Sequence, residues 1–175
     1  MKSIWKSAAA GMAFAAMAAA PALADKATAE LRDAEGVVVA TVTMADLNGG
    51  MMIRIEAKEL TPGFHGFHIH AVGACEPPDF SSAGGHFNPD GADHADHAGD
   101  LPNLLVMADG TASMRVATDR MTVADLLDGD GAAVIIHADP DNHAHIPERY
   151  ADQPDEDTLA TGDAGARVAC GVVTE

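Results

Sequence analysis

The sequence predicts an all-β fold, a barrel or sandwich of short strands interrupted by two long loops. Several short segments rich in branched residues are separated by turn residues, as in barrels and sandwiches. Residues 73–103 are crowded with Gly, Pro, Asp and His, whereas residues 138–166 are acidic and nearly free of branched residues. Long irregular loops inside a compact domain usually carry function or are disordered, so we expect the chemistry in these two segments.

Five segments are predicted to be strands from their branched residues and flanking turns. In chain order they are 36–43, 52–57, 112–117, 132–137 and 168–173. Residues 52–57 alternate apolar with charged side chains, which is the period of a half-buried strand. Residues 47–50 (Leu-Asn-Gly-Gly) have turn chemistry and predict a hairpin, and residues 124–127 predict a short helical turn.

The first 24 residues have the organisation of a secretory signal peptide. Lys2 and Lys6 form a short basic region, residues 8–20 are uncharged and mostly apolar, and residues 21–24 end in an A-x-A cleavage pattern. The apolar run is shorter than the roughly 20 residues that cross a bilayer, which disfavours the alternative of an uncleaved membrane anchor. We therefore predict export to the periplasm and a single domain over residues 25–175.

The predicted mature chain is strongly acidic. Two of the ten basic residues lie in the signal segment, which leaves 8 basic against 27 acidic residues and a net charge of −19. Such a surface repels nucleic acid and anionic membranes, so neither is expected as a partner. The sequence leaves open whether the protein is a monomer or a homodimer.

The two cysteines, Cys75 and Cys170, predict a disulfide, because an even cysteine count in an exported protein favours pairing. A bridge closing so long a loop stabilises the folded state by roughly 4–5 kcal/mol in the chain-entropy treatment. The alternative is a pair of free buried thiols.

The histidines predict a metal centre. All nine lie beyond residue 24, and the candidate ligands are His68, His70, His86, His94, His97, His137 and Asp100. His68 and His70 occupy alternate positions of a strand and therefore face the same side, as two ligands of one metal must. Imidazole suits copper and zinc, and a carboxylate among imidazoles suits zinc. Three histidines fall outside the pattern and are predicted to be structural or surface residues: His65, His143 and His145.

Four segments, taken in order, resemble the successive signatures of copper–zinc superoxide dismutases, in particular those exported by bacteria. They are residues 66–70 (Gly-Phe-His-Ile-His), 85–89 (Gly-His-Phe-Asn-Pro), 97–101 (His-Ala-Gly-Asp-Leu) and 165–171 (Gly-Ala-Arg-Val-Ala-Cys-Gly). One such segment would be weak evidence, but four in order are specific. The resemblance implies a Greek-key β-barrel or sandwich of about eight antiparallel strands with two long functional loops.

The resemblance also implies the roles of individual residues in converting superoxide to dioxygen and hydrogen peroxide. The implied copper ligands are His68, His70, His86 and His137. The implied zinc ligands are His86, His94, His97 and Asp100. His86 would bridge the ions and deliver a proton, Arg167 would dock the superoxide anion, and Asp141 would orient one ligand of each metal.

Two alternatives to this interpretation stay open on the sequence. Only Ala95 and Asp96 separate two of the zinc histidines, which is shorter than in many relatives. If this segment does not close, the protein is a copper-only dismutase, or Asp93 or Asp96 replaces a histidine. The other alternative is a non-enzymatic periplasmic copper- or zinc-binding protein, against which Arg167 argues because storage needs no docked anion.

The loop over residues 138–166 predicts weak electrostatic attraction of the substrate. Arg149 is its only basic residue, whereas it contains many carboxylates. We therefore expect a rate below that of the fastest relatives and a shallow fall in rate with ionic strength.

Overall fold

A computed structural model describes residues 25–175, so the predicted signal peptide lies outside the described residues. Within that range the chain forms nine strands, two α-helices and one 3₁₀ turn. The strands are β1 (Lys26–Arg32), β2 (Val38–Leu47), β3 (Gly50–Ala57), β4 (Gly63–His65), β5 (Phe67–His70), β6 (Leu104–Val106), β7 (Ala112–Thr118), β8 (Ala133–His137) and β9 (Arg167–Val172). The helices are α1 (Val123–Leu127) and α2 (Glu156–Thr161), and the 3₁₀ turn covers Ser81–Ala83. The predicted all-β fold is confirmed.

Seven strands form one curled antiparallel sheet in the order β5-β8-β9-β1-β2-β3-β7. The strands β4 and β6 form a separate antiparallel pair. Because β6 packs beside β7 and β4 leads into β5 after Gly66, the small sheet lies between the two edges of the large one. The curl encloses the main hydrophobic core, which includes Leu31, Ile53 and Phe67.

The local sequence explains most of these elements. The hairpin predicted at residues 47–50 is present, since Leu47 pairs with Gly50 across a two-residue turn in which Gly49 has a φ of 86°. The predicted helical turn is α1, whose Thr122 and Asp125 form a capping box. Strand β1 was not predicted because two of its three inward residues are alanines, which give only a weak apolar alternation.

Strand β8 is buried on both faces, and each face packs in a different hydrophobic cluster. On one face Val134 and Ile136 join the main core. On the other, Ala133 and Ile135 pack with Phe80 of the loop 73–103. Strand β5 pairs with β8 so that Ile135 lies opposite His68, and the histidine face of β5 is therefore covered by this loop rather than by the barrel core.

The predicted disulfide is confirmed. Cys75 in the loop and Cys170 in β9 are bonded, with their Cα atoms 5.7 Å apart. Cys170 also belongs to the small cluster around Phe80 and Ile135, so the bond ties the loop to the sheet directly beside the histidine face of β5.

The loop over residues 138–166 contains α2, which the sequence analysis did not predict. Asp155 caps its start by accepting a hydrogen bond from the backbone N–H of Thr158 at 2.9 Å. Gly162 ends it in the left-handed conformation, with φ 59°.

None of the helices described within residues 25–175 is long and apolar enough to cross a membrane.

Candidate metal centre

The copper-ligand histidines of the sequence analysis converge beside strands β5 and β8. They are His68, His70, His86 and His137, all buried, and one ring nitrogen of each lies within 4.8 Å of those of the others. His70 and His137 bring their Nε2 atoms to 3.4 Å from each other. The ring centroid of His68 lies 4.1 Å from that of His86 and 4.8 Å from that of His137. Four imidazoles meeting at one point are a donor set suited to copper.

A second group of ligand atoms meets on the far side of His86. Its members are His86, His94, His97 and Asp100. The Nδ1 atoms of His86 and His97 are 3.3 Å apart, and Asp100 places Oδ1 2.7 Å from His86 Nδ1 and Oδ2 3.0 Å from His94 Nδ1. Two nitrogens bound to a tetrahedral zinc ion at about 2.0–2.1 Å lie about 3.3 Å from each other. Three imidazoles and a carboxylate at this spacing fit a closed zinc site.

His86 belongs to both groups. Its Nδ1 faces Asp100 and His97, and its backbone bridges that of His70, so the ring stands between the two sets of ligands. An imidazole can serve two cations only when each ring nitrogen faces one of them. The position of His86 therefore suits a shared ligand.

The short segment between His94 and His97 folds so that both side chains reach the second ligand group. The backbone N–H of His97 donates to Asp100 Oδ2 at 3.0 Å, and that of His94 donates to Leu159 O at 3.0 Å. The two aspartates considered as replacement ligands lie outside the ligand group. The Asp96 side chain is 84% exposed, and Asp93 is in none of the converging groups found within residues 25–175. The geometry favours the histidine set.

Asp141 contacts one histidine of each ligand group. Its side chain is fully buried, and its carboxylate accepts hydrogen bonds from His68 Nε2 at 2.7 Å and from His94 Nε2 at 2.8 Å. The backbone N–H of His143 also donates to it, at 2.6 Å. A carboxylate that holds one nitrogen of an imidazole fixes the ring and presents the other nitrogen to a metal.

Two buried nitrogen atoms test whether the centre fits metal ions. Within residues 25–175, the fully buried His68 Nδ1 has no hydrogen-bond partner, and the fully buried His94 Nδ1 makes no well-aligned hydrogen bond, although Asp100 Oδ2 lies 3.0 Å from it. Buried polar atoms nearly always have a partner, so such atoms call for one. Each is the nitrogen opposite an Asp141 contact, and each points into one of the two ligand groups. The donors present therefore fit one copper and one zinc ion.

Burial keeps three of the copper-group histidines neutral. It lowers the pKa of His68 to about 4, of His70 to about 2 and of His137 to about 3, from an ordinary value of 6.5. Neighbouring histidines lower these pKa values further. Neutral imidazole is the form that binds a metal, so these three histidines need no deprotonation at neutral pH.

Two carboxylates, Asp100 in the zinc group and Asp141 beside it, set the protonation of His94. Burial alone raises the pKa of Asp100 and of Asp141, but their contacts with histidines outweigh it and hold both pKa values well below the ordinary range. Burial lowers the pKa of His94, but these two carboxylates outweigh that and raise it to about 9. Without a metal, this group therefore holds a proton where a cation would otherwise balance the charge.

Arg167 lies at the start of β9, in register with His137. Its guanidinium donates to the carbonyl oxygens of Phe80 and Gly84, both at 2.6 Å. Gly84 O also accepts from His70 Nδ1 at 2.9 Å, so one carbonyl positions both the arginine and a copper-group histidine. Burial lowers the Arg167 pKa and the nearby Asp79 opposes this, but an arginine stays charged at neutral pH in either case.

Several residues that shape the centre were not identified from the sequence. His65, expected to be structural or surface, is buried with its ring nitrogens 2.7 Å from His137 O and from Thr61 O. The Asn103 side chain holds the backbone of Asp141: its Nδ2 donates to Asp141 O, and its Oδ1 accepts from the Asp141 N–H, both at 2.8 Å. Gly162 packs against the Asp141–His94 contact. No local motif marks these three residues; only the fold brings them to the centre.

His143 and His145 are exposed, as expected of surface residues. The His143 side chain is 41% exposed, and its Nδ1 lies 3.6 Å from Asp141 Oδ2.

Comparison with known proteins identifies the family. The family profile described as "Copper/zinc superoxide dismutase (SODC)" matches residues 36–173. The chain is 44% identical to a Cu-Zn superoxide dismutase of Mycolicibacterium paratuberculosis over 98% of this chain and 84% of that protein. It is 38% identical to the corresponding enzyme of Caulobacter vibrioides, over 84% of each chain.

Comparison with solved structures points to the same family. A SOD-like protein from Bacillus subtilis superposes with a TM-score of 0.69 at 35% identity, covering 83% of this chain and 96% of that one. The Cu/Zn superoxide dismutase from Brucella abortus gives a TM-score of 0.67 at 31% identity, covering 85% of this chain and 99% of that one. With the fold, the two ligand groups and these likenesses together, the chain belongs to the copper/zinc superoxide dismutase family.

Proposed function

We propose that the two ligand groups are the catalytic copper and structural zinc sites of a superoxide dismutase, with the roles given to individual residues below. Family membership gives the reaction, the conversion of two superoxide anions and two protons to dioxygen and hydrogen peroxide, and the two metals, copper and zinc. The observation that carries the residue assignment is the convergence of two four-ligand groups on one shared histidine.

The copper ligands are His68, His70, His86 and His137, and the zinc ligands are His86, His94, His97 and Asp100. Copper supplies the one-electron reduction and oxidation when it is bound. A zinc ion held by the closed four-ligand group would stabilise the structure and orient the shared imidazole.

Arg167 docks the substrate. Its guanidinium is fixed by two carbonyl oxygens beside His137, so its positive charge does not have to reorganise when an anion arrives. Superoxide carries one negative charge, and a fixed cation next to the copper ligands holds it there.

His86 moves the proton. Its Nδ1 faces the zinc ligands, which leaves Nε2 as the nitrogen on the copper side. Nε2 takes up a proton in one half of the cycle and gives it to the reduced oxygen species in the other, and Nδ1 stays directed at the zinc group throughout. Asp141 keeps His68 and His94 in orientation during both halves.

Metal content and activity measured on one sample test these assignments. Protein reconstituted with both metals is expected to contain one copper and one zinc per chain and to dismutate superoxide. Copper alone with activity would make it a copper-only dismutase and remove the zinc assignment. Both metals without activity would favour the non-enzymatic metal-binding alternative.

We also propose that residues 1–24 are a cleaved signal peptide and that the domain of residues 25–175 acts in the periplasm. Mass spectrometry of protein from a periplasmic extract is expected to show a chain beginning at Asp25. The full-length mass in the cytoplasmic fraction would contradict this. Monomer and homodimer remain alternatives, and the acidic surface supports the expectation of no nucleic-acid or membrane partner.

A further inference from the structure

The segment that joins two of the proposed zinc ligands is held by an arginine from a distant part of the chain. Residues 93–98 form neither a strand nor a helix, and they span the short stretch between His94 and His97. Two backbone carbonyls of this stretch face Arg120, which follows the end of β7.

The contacts of Arg120 cover the whole stretch. Its Nη1 donates to Ala95 O at 3.2 Å and to His97 O at 3.1 Å, and its Nη2 lies 3.5 Å from Asp96 Oδ1. The backbone N–H of Arg120 donates to Thr118 Oγ1 at 3.2 Å, which anchors the residue to the end of β7. The guanidinium thus contacts three consecutive residues, the last of which is a proposed ligand.

This arrangement uses a property of arginine that lysine lacks. A guanidinium presents five N–H donors in a rigid plane, so it can hold two carbonyls and a carboxylate at once in one fixed geometry. An ammonium is a point charge on a flexible stem and cannot impose that geometry. Arg120 also places a positive charge beside a stretch that contains Asp93 and Asp96 and is followed by Asp100.

We infer that Arg120 is a positioning residue that keeps this stretch folded so that His94, His97 and Asp100 are arranged for zinc before the ion arrives, and that it slows zinc release. The inference rests on the proposed zinc assignment. Removing a contact that orients a metal ligand typically lowers metal affinity 10–100-fold. The Arg120 side chain is 42% exposed, so we expect its loss to have an effect at the lower end of that range. Among the described residues, the hydrogen bonds and ion pair of Arg120 reach no member of the proposed copper group, so copper retention is expected to be independent of it.

The test uses protein loaded with copper and zinc, in the wild-type, R120Q, R120K and R115Q forms. Arg115 is a matched control because it is an exposed arginine on β7, opposite Arg54 of β3 and away from the zinc group. Zinc release to an excess of a chromophoric chelator is followed over time, and the copper left on each protein is measured at the end.

R120Q is expected to release zinc about tenfold faster than wild type with copper retained, R120K to fall between them, and R115Q to match wild type. Zinc release from R120Q at the wild-type rate would overturn the role of Arg120 while leaving the zinc site intact. Equal acceleration of zinc and copper loss would also overturn it, since that indicates general destabilisation. Wild-type protein that binds no zinc would overturn the zinc assignment and this inference together.

Discussion

Replacement of Gly162 by alanine tests how tightly the centre depends on the loop over residues 138–166. Gly162 ends α2 with a φ of 59°, and a Cβ atom built there would overlap Asp141 Oδ1 and His94 Nε2. The backbone has little room to yield, since Gly162 N donates to Thr158 O and Gly162 O accepts from Asn142 N, both at 2.9 Å. The new methyl group therefore has to displace the Asp141 carboxylate or the end of α2.

The size of the effect follows from two contributions. A left-handed conformation costs a residue with a Cβ about 1–2 kcal/mol relative to glycine. Displacing Asp141 from its two histidines weakens metal binding about 10–100-fold. Because Asp141 contacts one histidine of each ligand group, both copper and zinc are expected to be held less tightly, in contrast to the zinc-only effect of R120Q.

Gly129→Ala is the matched control for this variant. Gly129 has nearly the same φ, 58°, but a Cβ there would meet nothing within 4 Å among the described residues. Denaturant unfolding of both metal-free variants measures the backbone contribution, and competition with a chelator measures the affinity for each metal. If G162A matched G129A in unfolding free energy and kept wild-type affinity for both metals, the view that Gly162 is required by the Asp141–His94 contact would be refuted.

Three further outcomes are expected. Arg167→Gln lowers kcat/KM by about tenfold to hundredfold with metal content unchanged, and Arg167→Lys lowers it less; loss of copper instead would make Arg167 a structural residue. The dismutation rate falls only shallowly between low and physiological ionic strength, because the loop over residues 138–166 has one arginine among many carboxylates; a steep fall would contradict this. Finally, the metal-free protein loses stability as pH falls from 6.5 towards 4. In this range His68, His70 and His137 bind protons in the unfolded chain but stay neutral in the folded protein, because burial lowers their pKa values. With three such groups the slope reaches about 4 kcal/mol per pH unit, and an unfolding free energy independent of pH over this range would refute it.

The sequence predicted those parts of the centre that have a local signature. The alternation of His68 and His70 is visible as a strand pattern, and β5 does present both on one face. The Asn-Gly turn between β2 and β3 is likewise a property of a few adjacent residues. The pairing of Cys75 with Cys170 followed from there being only two cysteines, and needed no knowledge of the fold.

The rest depends on contacts between distant segments, which periodicity does not report. Arg120 and Gly162 have ordinary neighbours in the sequence, yet each touches the segment around His94. Helix α2 was missed because its six residues, Glu-Asp-Thr-Leu-Ala-Thr, are too few to show an apolar period. Strands β4 and β6 have three residues each and were missed for the same reason.

These distant contacts support the proposed zinc ligands on either side of the short stretch between His94 and His97. Two ligands separated by two residues have little chain with which to shape a metal site, so their geometry must be fixed from outside. The fold supplies two supports from separate, later segments of the chain: the Leu159 carbonyl in α2 accepts from the His94 N–H, and Arg120 holds the carbonyls of Ala95 and His97. The loop over residues 138–166 therefore has a structural role that its acidic surface does not reveal. Its carboxylates face solvent in α2, while the buried side of that loop supports the zinc ligands.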